Sequence, residues 1–266
     1  MLMINFLVSH EVARKFVITH LDSDKVPSAT DDAEKLTPSQ RRNDLNELDQ
    51  SIEVLGGRLT DLEFFARRLK TGQTSNRAVQ EIIDQSSSEI LKMFLLTVGK
   101  GDTKYSTEQA WYLIKSLAEK EDLRYNEVLL SNTFASSLSP SASNAENALE
   151  SLSAAELISI KTYKGRPQTI TAGKPVYRAA FKRLTEDRVL KSRLDLAILT
   201  ELTKIETKSI DKYETELNML GSLPKQPREV APRVQFLLGK LQASQAKIQG
   251  WEKDMATLKT ILQNEY

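Results

Sequence analysis

The chain has 266 residues, enough for about two domains of ordinary size. Its 10 glycines and 8 prolines are few, which argues against a many-stranded sandwich or barrel, and its 40% hydrophobic content argues against wholesale disorder. The 37 basic and 36 acidic residues nearly cancel, which disfavours a globally basic nucleic-acid binder. The absence of cysteine removes disulfides, thiol catalysis and cysteine-held metals.

The only histidines, His10 and His20, leave little for a histidine metal cage or a His-based triad. The apolar start, Met1 to Val8, is short and lacks a basic region and a small-residue cleavage site. It reads as an element of a larger fold rather than a signal peptide. No apolar run reaches the roughly 20 residues that span a bilayer, so no membrane insertion is expected of this segment.

From Ser9 to Leu21, Val12, Ala13, Phe16, Val17 and Leu21 follow helical spacing. Asp22 to Pro38 is polar and aperiodic, a loop. Helical spacing resumes over 39–54 through Leu45, Leu48 and Ile52, with Leu55 following, and Gly56-Gly57 interrupts it. Leu59 to Leu69 predicts a helix with Leu62, Phe65 and Leu69 on one face, stopped by Gly72. Asn76 to Val98 predicts another, and Gly99-Lys100-Gly101-Asp102 reads as a boundary.

The next section has a different rhythm. Helices are expected from Thr107, around Tyr125 to Phe134, and from Asn144 to Leu157, with a Ser/Ala/Pro loop over 136–143. Leu157 to Tyr163 alternates like a strand, Lys164 to Pro167 turns, and Gln168 to Thr171 returns. Three helices followed by a short hairpin is the order of a winged helix. From Pro175 to Gly221 the chain reads as one long helix. After a Gly/Pro turn, Val230, Val234, Leu237, Leu241, Ser244, Ile248, Trp251, Met255, Leu258 and Leu262 alternate steps of four and three. Two long helices joined by a short turn predict an antiparallel hairpin.

The expected fold is therefore mainly α: a helical lid-like bundle over 1–100, a winged helix with a small β-hairpin over 101–180, and a coiled-coil-like helical hairpin over 181–266. Leu237, Leu241, Ile248, Trp251 and Met255 are the expected contacts of that hairpin with a protein partner or a second copy. Carboxylate pairs such as Asp31-Asp32 and Glu121-Asp122 face no nucleophile, and His20 with Asp22 and Asp24 makes a poor metal site, so neither catalysis nor a metal is expected. The wing carries Lys161, Lys164, Arg166 and Lys174, a basic set suited to phosphate. The preceding helix instead carries Glu146, Glu150 and Glu156 with no Lys or Arg, which disfavours docking into DNA.

The sharpest local motif is Gly56-Gly57-Arg58 at the start of a helix. Paired glycines permit close backbone approach, and an arginine in the first turn can reach a phosphate, or else a neighbouring carboxylate such as Asp61. It resembles the sensor-2 segment of AAA+ ATPases, in the branch whose lid precedes a winged helix. The run from Gly56 to Gly72, with Glu81-Ile82-Ile83 and Ser88 to Phe94, is similar to the C-terminal portion of the fungal mitochondrial escape protein 2 family. The resemblance is strongest over residues 10–100.

That resemblance implies a protein anchored in the mitochondrial inner membrane, with an RNA-recognition domain in the matrix and an AAA+-like region in the intermembrane space. It also implies a role in maintaining the mitochondrial genome and its nucleoids, with a link to pre-rRNA maturation. Arg58, with Gly56 and Gly57, would then sense a nucleotide γ-phosphate. The chain lacks a G-x-x-x-x-G-K-[ST] phosphate loop, a membrane span and an RNA-recognition signature. It is therefore expected to be a C-terminal portion without ATP hydrolysis or cofactor of its own. ATP would belong to the full-length protein, and RNA to its N-terminal domain.

Overall fold

The computed structural model describes residues 8–22, 38–96, 104–135, 142–222 and 230–264. The fold is mainly α, with one three-stranded antiparallel sheet among the described residues. The expected loop from Asp22 to Pro38 and the boundary at 99–102 lie almost wholly outside the described residues. Two compact units emerge, Met1–Thr185 and Glu186–Tyr266.

The first unit opens with α1 (His10–Asp22), α2 (Pro38–Leu55), α3 (Leu59–Lys70) and α4 (Ser75–Ile90), the last running on as a π-helical turn, Leu91–Leu95. Ala13 and Val17 of α1, Ile52 and Leu55 of α2, Leu62 and Phe65 of α3, and Ile82, Ile83 and Ile90 of α4 are buried, so the helical spacing marks the core. Val12 and Leu45 share that spacing but lie at the rim of their stripes, 51% and 41% exposed. The π turn closes with the Leu96 N–H donating to the Leu91 carbonyl at 2.9 Å. The extra residue per turn lets the adjacent Phe94 and Leu95 both face inward.

The winged helix follows: α5 (Thr107–Glu119), β1 (Leu123–Arg124), α6 (Tyr125–Leu129), α7 (Asn132–Ala135), α8 (Ala142–Ala154), β2 (Ile158–Tyr163), β3 (Arg166–Ala172) and α9 (Pro175–Glu186). A capping box starts α5: the Ser106 hydroxyl accepts from the Gln109 N–H, and the Gln109 side chain accepts from the Ser106 N–H. The sheet order is β1-β3-β2, with Leu123 opposite Ile170 and Ile160 opposite the same residue on the other side. That row faces the helices. Pro167 is tolerated in the middle strand because β1 pairs only with Thr169 and Ile170, leaving the far side of β3 open at 167. The two-residue β1 and the break between α6 and α7 are too short to show as periodicity.

In the second unit, α10 (Arg188–Gly221) and α11 (Val230–Asn264) pack along each other as a hairpin, each arm about 50 Å long. The uninterrupted helix expected from Pro175 ends instead at Glu186. Asp187 takes an extended backbone and its carboxylate accepts from the Leu190 N–H at 2.9 Å, an N-cap that begins a new helix without any glycine or proline. Every heptad position of α11, from Val230 to Leu262, is buried or half-buried, while its other faces are open apart from Ile261 at the C-terminal end. Opposite it, α10 turns Ser192, Leu199, Glu206, Tyr213 and Leu220 inward at seven-residue intervals. Arg233 donates to both carboxylate oxygens of Glu216, at 2.6 and 2.9 Å, and Lys247 lies 3.6 Å from Glu206. These pairs, with buried Ser244, fix the register of an otherwise repetitive contact. No helix among the described residues is long and apolar enough to cross a membrane.

Candidate functional site

The Gly56-Gly57 turn closes α2 and launches α3. Both glycines have left-handed backbones, φ +65° and +74°. A Cβ on Gly56 would lie 2.1 Å from Pro175 Cβ, and one on Gly57 would lie 2.3 Å from the Val8 carbonyl oxygen. The turn is thus pressed against the start of α9 on one side and the segment before α1 on the other. The Val8 N–H donates to the Gly57 carbonyl at 3.1 Å.

Arg58 is the N-cap of α3, and its side chain makes no capping bond. Its guanidinium, 19% exposed, lies 3.6 Å from the carboxylate of Glu156. Glu156 follows α8 with φ +61°, and the next N–H, of Leu157, reaches back to the Leu152 carbonyl. This is the left-handed helix stop that glycine normally occupies. Gly173 supports the turn from below: a Cβ there would lie 1.9 Å from the Glu156 carbonyl oxygen.

Lys174 enters the same space from the start of α9. Its ammonium lies 3.5 Å from Glu89 of α4, 3.8 Å from Glu156 and 4.8 Å from the centre of the Tyr177 ring. Burial pulls the Lys174 pKa down, but the hydrogen bond and charge of Tyr177 and the charge of Glu89 outweigh it, and the net shift is upward. Burial raises the Tyr177 hydroxyl, against the pull of Lys174. Asp61, in the first turn of α3, is also raised. Its burial outweighs the attraction of Arg58 and Lys174, Glu89 adds to the rise, and one carboxylate oxygen is buried without a hydrogen-bond partner. Two cations and three carboxylates from both halves of the first unit converge here. The cluster is an electrostatic clasp joining α3 and α4 to the end of α8 and the start of α9. The carboxylate nearest Arg58 is Glu156, 98 residues away in sequence, rather than Asp61 in its own helix.

The structure separates the four basic residues expected on the wing. Lys161, Lys164 and Arg166 are exposed on the hairpin, whereas Lys174, 15% exposed, belongs to the clasp. The three acids read as uncompensated also divide. Glu146 and Glu150 are exposed on α8, but Glu156 lies beyond the helix and is compensated by Arg58 and Lys174. Leu237, Leu241, Ile248, Trp251 and Met255 face α10 within the hairpin. Among the described residues of this unit, the large apolar side chains left exposed are Met219, Phe236 and Leu238, 64%, 51% and 47% exposed. No group of three metal-ligating side chains occurs among the described residues. His20 stacks on Phe16 at 4.4 Å, and His10 meets the Asp49 carbonyl at 3.2 Å. Asp24, Asp31 and Asp32 lie outside the described residues.

Sequence reasoning passed over Glu89, Tyr177 and the clasp role of Glu156. The available signal for the last was a missing glycine: α8 ends with no Gly or Asn to stop it.

These elements define the class: a mainly helical fold with a small antiparallel sheet, in which a Gly-Gly-Arg turn is clasped against the start of α9. The sequence model of the RNA12 protein family matches residues 7–223, and the chain belongs to this family. It is 60% identical over 260 residues to mitochondrial escape protein 2 of Chaetomium globosum, covering 96% of this chain and 31% of that protein. It is 54% identical to the protein of that name from Pyricularia oryzae, over 97% of this chain and 31% of the relative. The Neosartorya fischeri protein is 51% identical, over 97% of this chain and 28% of the relative. The chain thus spans about a third of the length of these relatives. No solved structure matches it significantly.

Proposed function

We propose that this chain is the C-terminal interaction and assembly module of an AAA+-like protein of the mitochondrial inner membrane, facing the intermembrane space, that helps maintain the mitochondrial genome and its nucleoids. The observation that carries the assembly reading is the hairpin. Its heptad stripe is consumed in joining α10 to α11, yet Met219, Phe236 and Leu238 remain exposed near the turn end. The hairpin supplies the surface and these side chains supply the contact, with a protein partner or a second copy. Replacing Met219 and Phe236 by glutamate in the full-length protein is expected to abolish its higher-order assembly, measured by light scattering and cross-linking, with melting unchanged. Assembly that survives both substitutions would sink this reading.

The placement of Arg58 favours a second reading of the same module, as the nucleotide-sensing part of an active ATPase. The arginine caps a lid helix after two left-handed glycines, as a sensor would. In this reading the segment hydrolyses nothing itself and binds no cofactor alone, and ATP is bound by the full-length protein. Arg58→Ala in that protein would lower ATP hydrolysis; unchanged binding and turnover would refute it.

A further inference from the structure

Charge is segregated along the middle of the chain. From Tyr125 to Ile160 there is no Lys or Arg, and from Leu157 to Thr185 there is no Asp or Glu. Part of this charge is satisfied within the fold: Glu127 pairs with Arg124, and Glu156 lies between Arg58 and Lys174. Two exposed patches of opposite sign are left. Glu146 and Glu150 form one on α8, and Lys161, Lys164 and Arg166 form the other on the β2–β3 hairpin.

Each patch is assembled against local preference. Glu146 and Glu150 stand one turn apart on α8, where like charges repel. Their field reaches Tyr125, whose hydroxyl is raised by burial and further by these two carboxylates. On the β-hairpin, Tyr163 pairs with Arg166, so the turn is only Lys164-Gly165, both left-handed at φ +49° and +76°. Such turns prefer Asn, Asp or Gly at the first position, and a lysine there is strained. Its ammonium sits 5.4 Å from the centre of the Tyr163 ring, which is 58% exposed. Lys161 precedes Tyr163 by two residues on β2, so the two share a face, with Arg166 directly across from Tyr163. The stretch without bases has an open apolar side chain of its own, Leu130, 80% exposed.

We propose that the two patches are the halves of a self-association surface. The β-hairpin tip of one copy docks on α8 of a second copy, with Lys161, Lys164 and Arg166 against Glu146 and Glu150 and the Tyr163 ring covered between them. Every copy carries both halves, so the complement of each patch is on the chain itself, as an interface between identical subunits requires. Opposite charge fixes the register and speeds encounter, and the aromatic ring adds apolar area that a purely ionic contact lacks. A membrane fits the tip less well, because its neighbours Thr162, Pro167, Gln168 and Thr169 offer no apolar anchor, and it would leave the α8 acids without a partner. Lys174 takes no part, being held in the clasp. This contact is separate from the one ascribed above to Met219, Phe236 and Leu238.

Sedimentation equilibrium of the chain carrying Met219→Glu and Phe236→Glu isolates this contact from assembly through the α10–α11 arms. Self-association is expected to persist in that background and to weaken as salt is raised. Reversing the tip (Lys161→Glu with Arg166→Glu) or α8 (Glu146→Lys with Glu150→Lys) should each weaken it about tenfold or more. The two reversed chains, mixed in equal amounts, should associate again, because each then presents the charge that the other lacks. Misfolding would not be rescued by mixing. Association of the parent chain that vanishes in the Met219→Glu, Phe236→Glu background would support the α10–α11 contact and refute this one. A chain that stays monomeric at high micromolar concentration and low salt, indifference to either reversal, or a mixture that does not recover would also overturn the proposal. So would capture by anionic vesicles in place of self-association, which would make the membrane the occupant.

Discussion

Gly56 and Gly72 both have positive φ, but only Gly56 is enclosed: nothing lies within 4 Å of a Cβ built on Gly72, whereas Pro175 lies 2.1 Å from one on Gly56. Gly72→Ala is therefore expected to cost only the backbone term, about 1 kcal/mol. Gly56→Ala should cost about 2–4 kcal/mol, because it also forces α3 away from α9. Urea unfolding of the two variants separates backbone strain from contact, and equal losses would show that the Pro175 contact is immaterial. Asp61 offers a second test. Its folded pKa lies above the ordinary 3.8, so the folded state holds the proton more tightly than the unfolded chain. Stability is then lost as pH rises through the folded pKa, and the ionised form is a net burden at neutral pH. Asp61→Asn should be more stable than the parent at pH 7, with the advantage vanishing below about pH 4. A destabilised Asn variant at pH 7 would mean that the attraction of Arg58 and Lys174 outweighs the burial.

Among elements, the hairpin arms show how local information becomes tertiary structure. Leu237 is wholly buried, whereas Leu241, one step along the same stripe, is half-buried. Leu237→Ala should cost about 3 kcal/mol of hairpin stability and Leu241→Ala distinctly less, read by helix melting. Loss of the same size at both positions would place Leu241 deeper than the packing here. The stripe itself was legible in sequence because a heptad needs only apolar residues at fixed intervals. The break at Asp187 was not, since an N-cap is a single hydrogen bond and carries no periodicity. The wing followed from strand alternation, but β1 did not, because two residues cannot alternate. At the site, Gly56, Gly57 and Arg58 stand out locally. Their partners Glu89, Glu156 and Lys174 arrive from remote segments, and only folding brings those charges together.

At the scale of the whole chain the two units are built differently. Met1–Thr185 encloses large side chains such as Trp111, Phe65, Phe94 and Phe181, whereas in Glu186–Tyr266 the fully sequestered apolar side chains, among the described residues, are Leu194 and Leu237. Hydrogen exchange should therefore release α10 and α11 at lower denaturant than α5 and α8, in two steps. A single concerted release would contradict the division. The near-equal arms, 34 and 35 residues, have one further consequence, which concerns descent rather than stability. Because the inward positions of α11 and of α10 recur on the same seven-residue interval, a lone insertion in either arm would rotate its whole outer half away from its mate. Length in this hairpin can drift among relatives only in paired blocks of seven, one in each arm, so the two arms should have grown or shortened together.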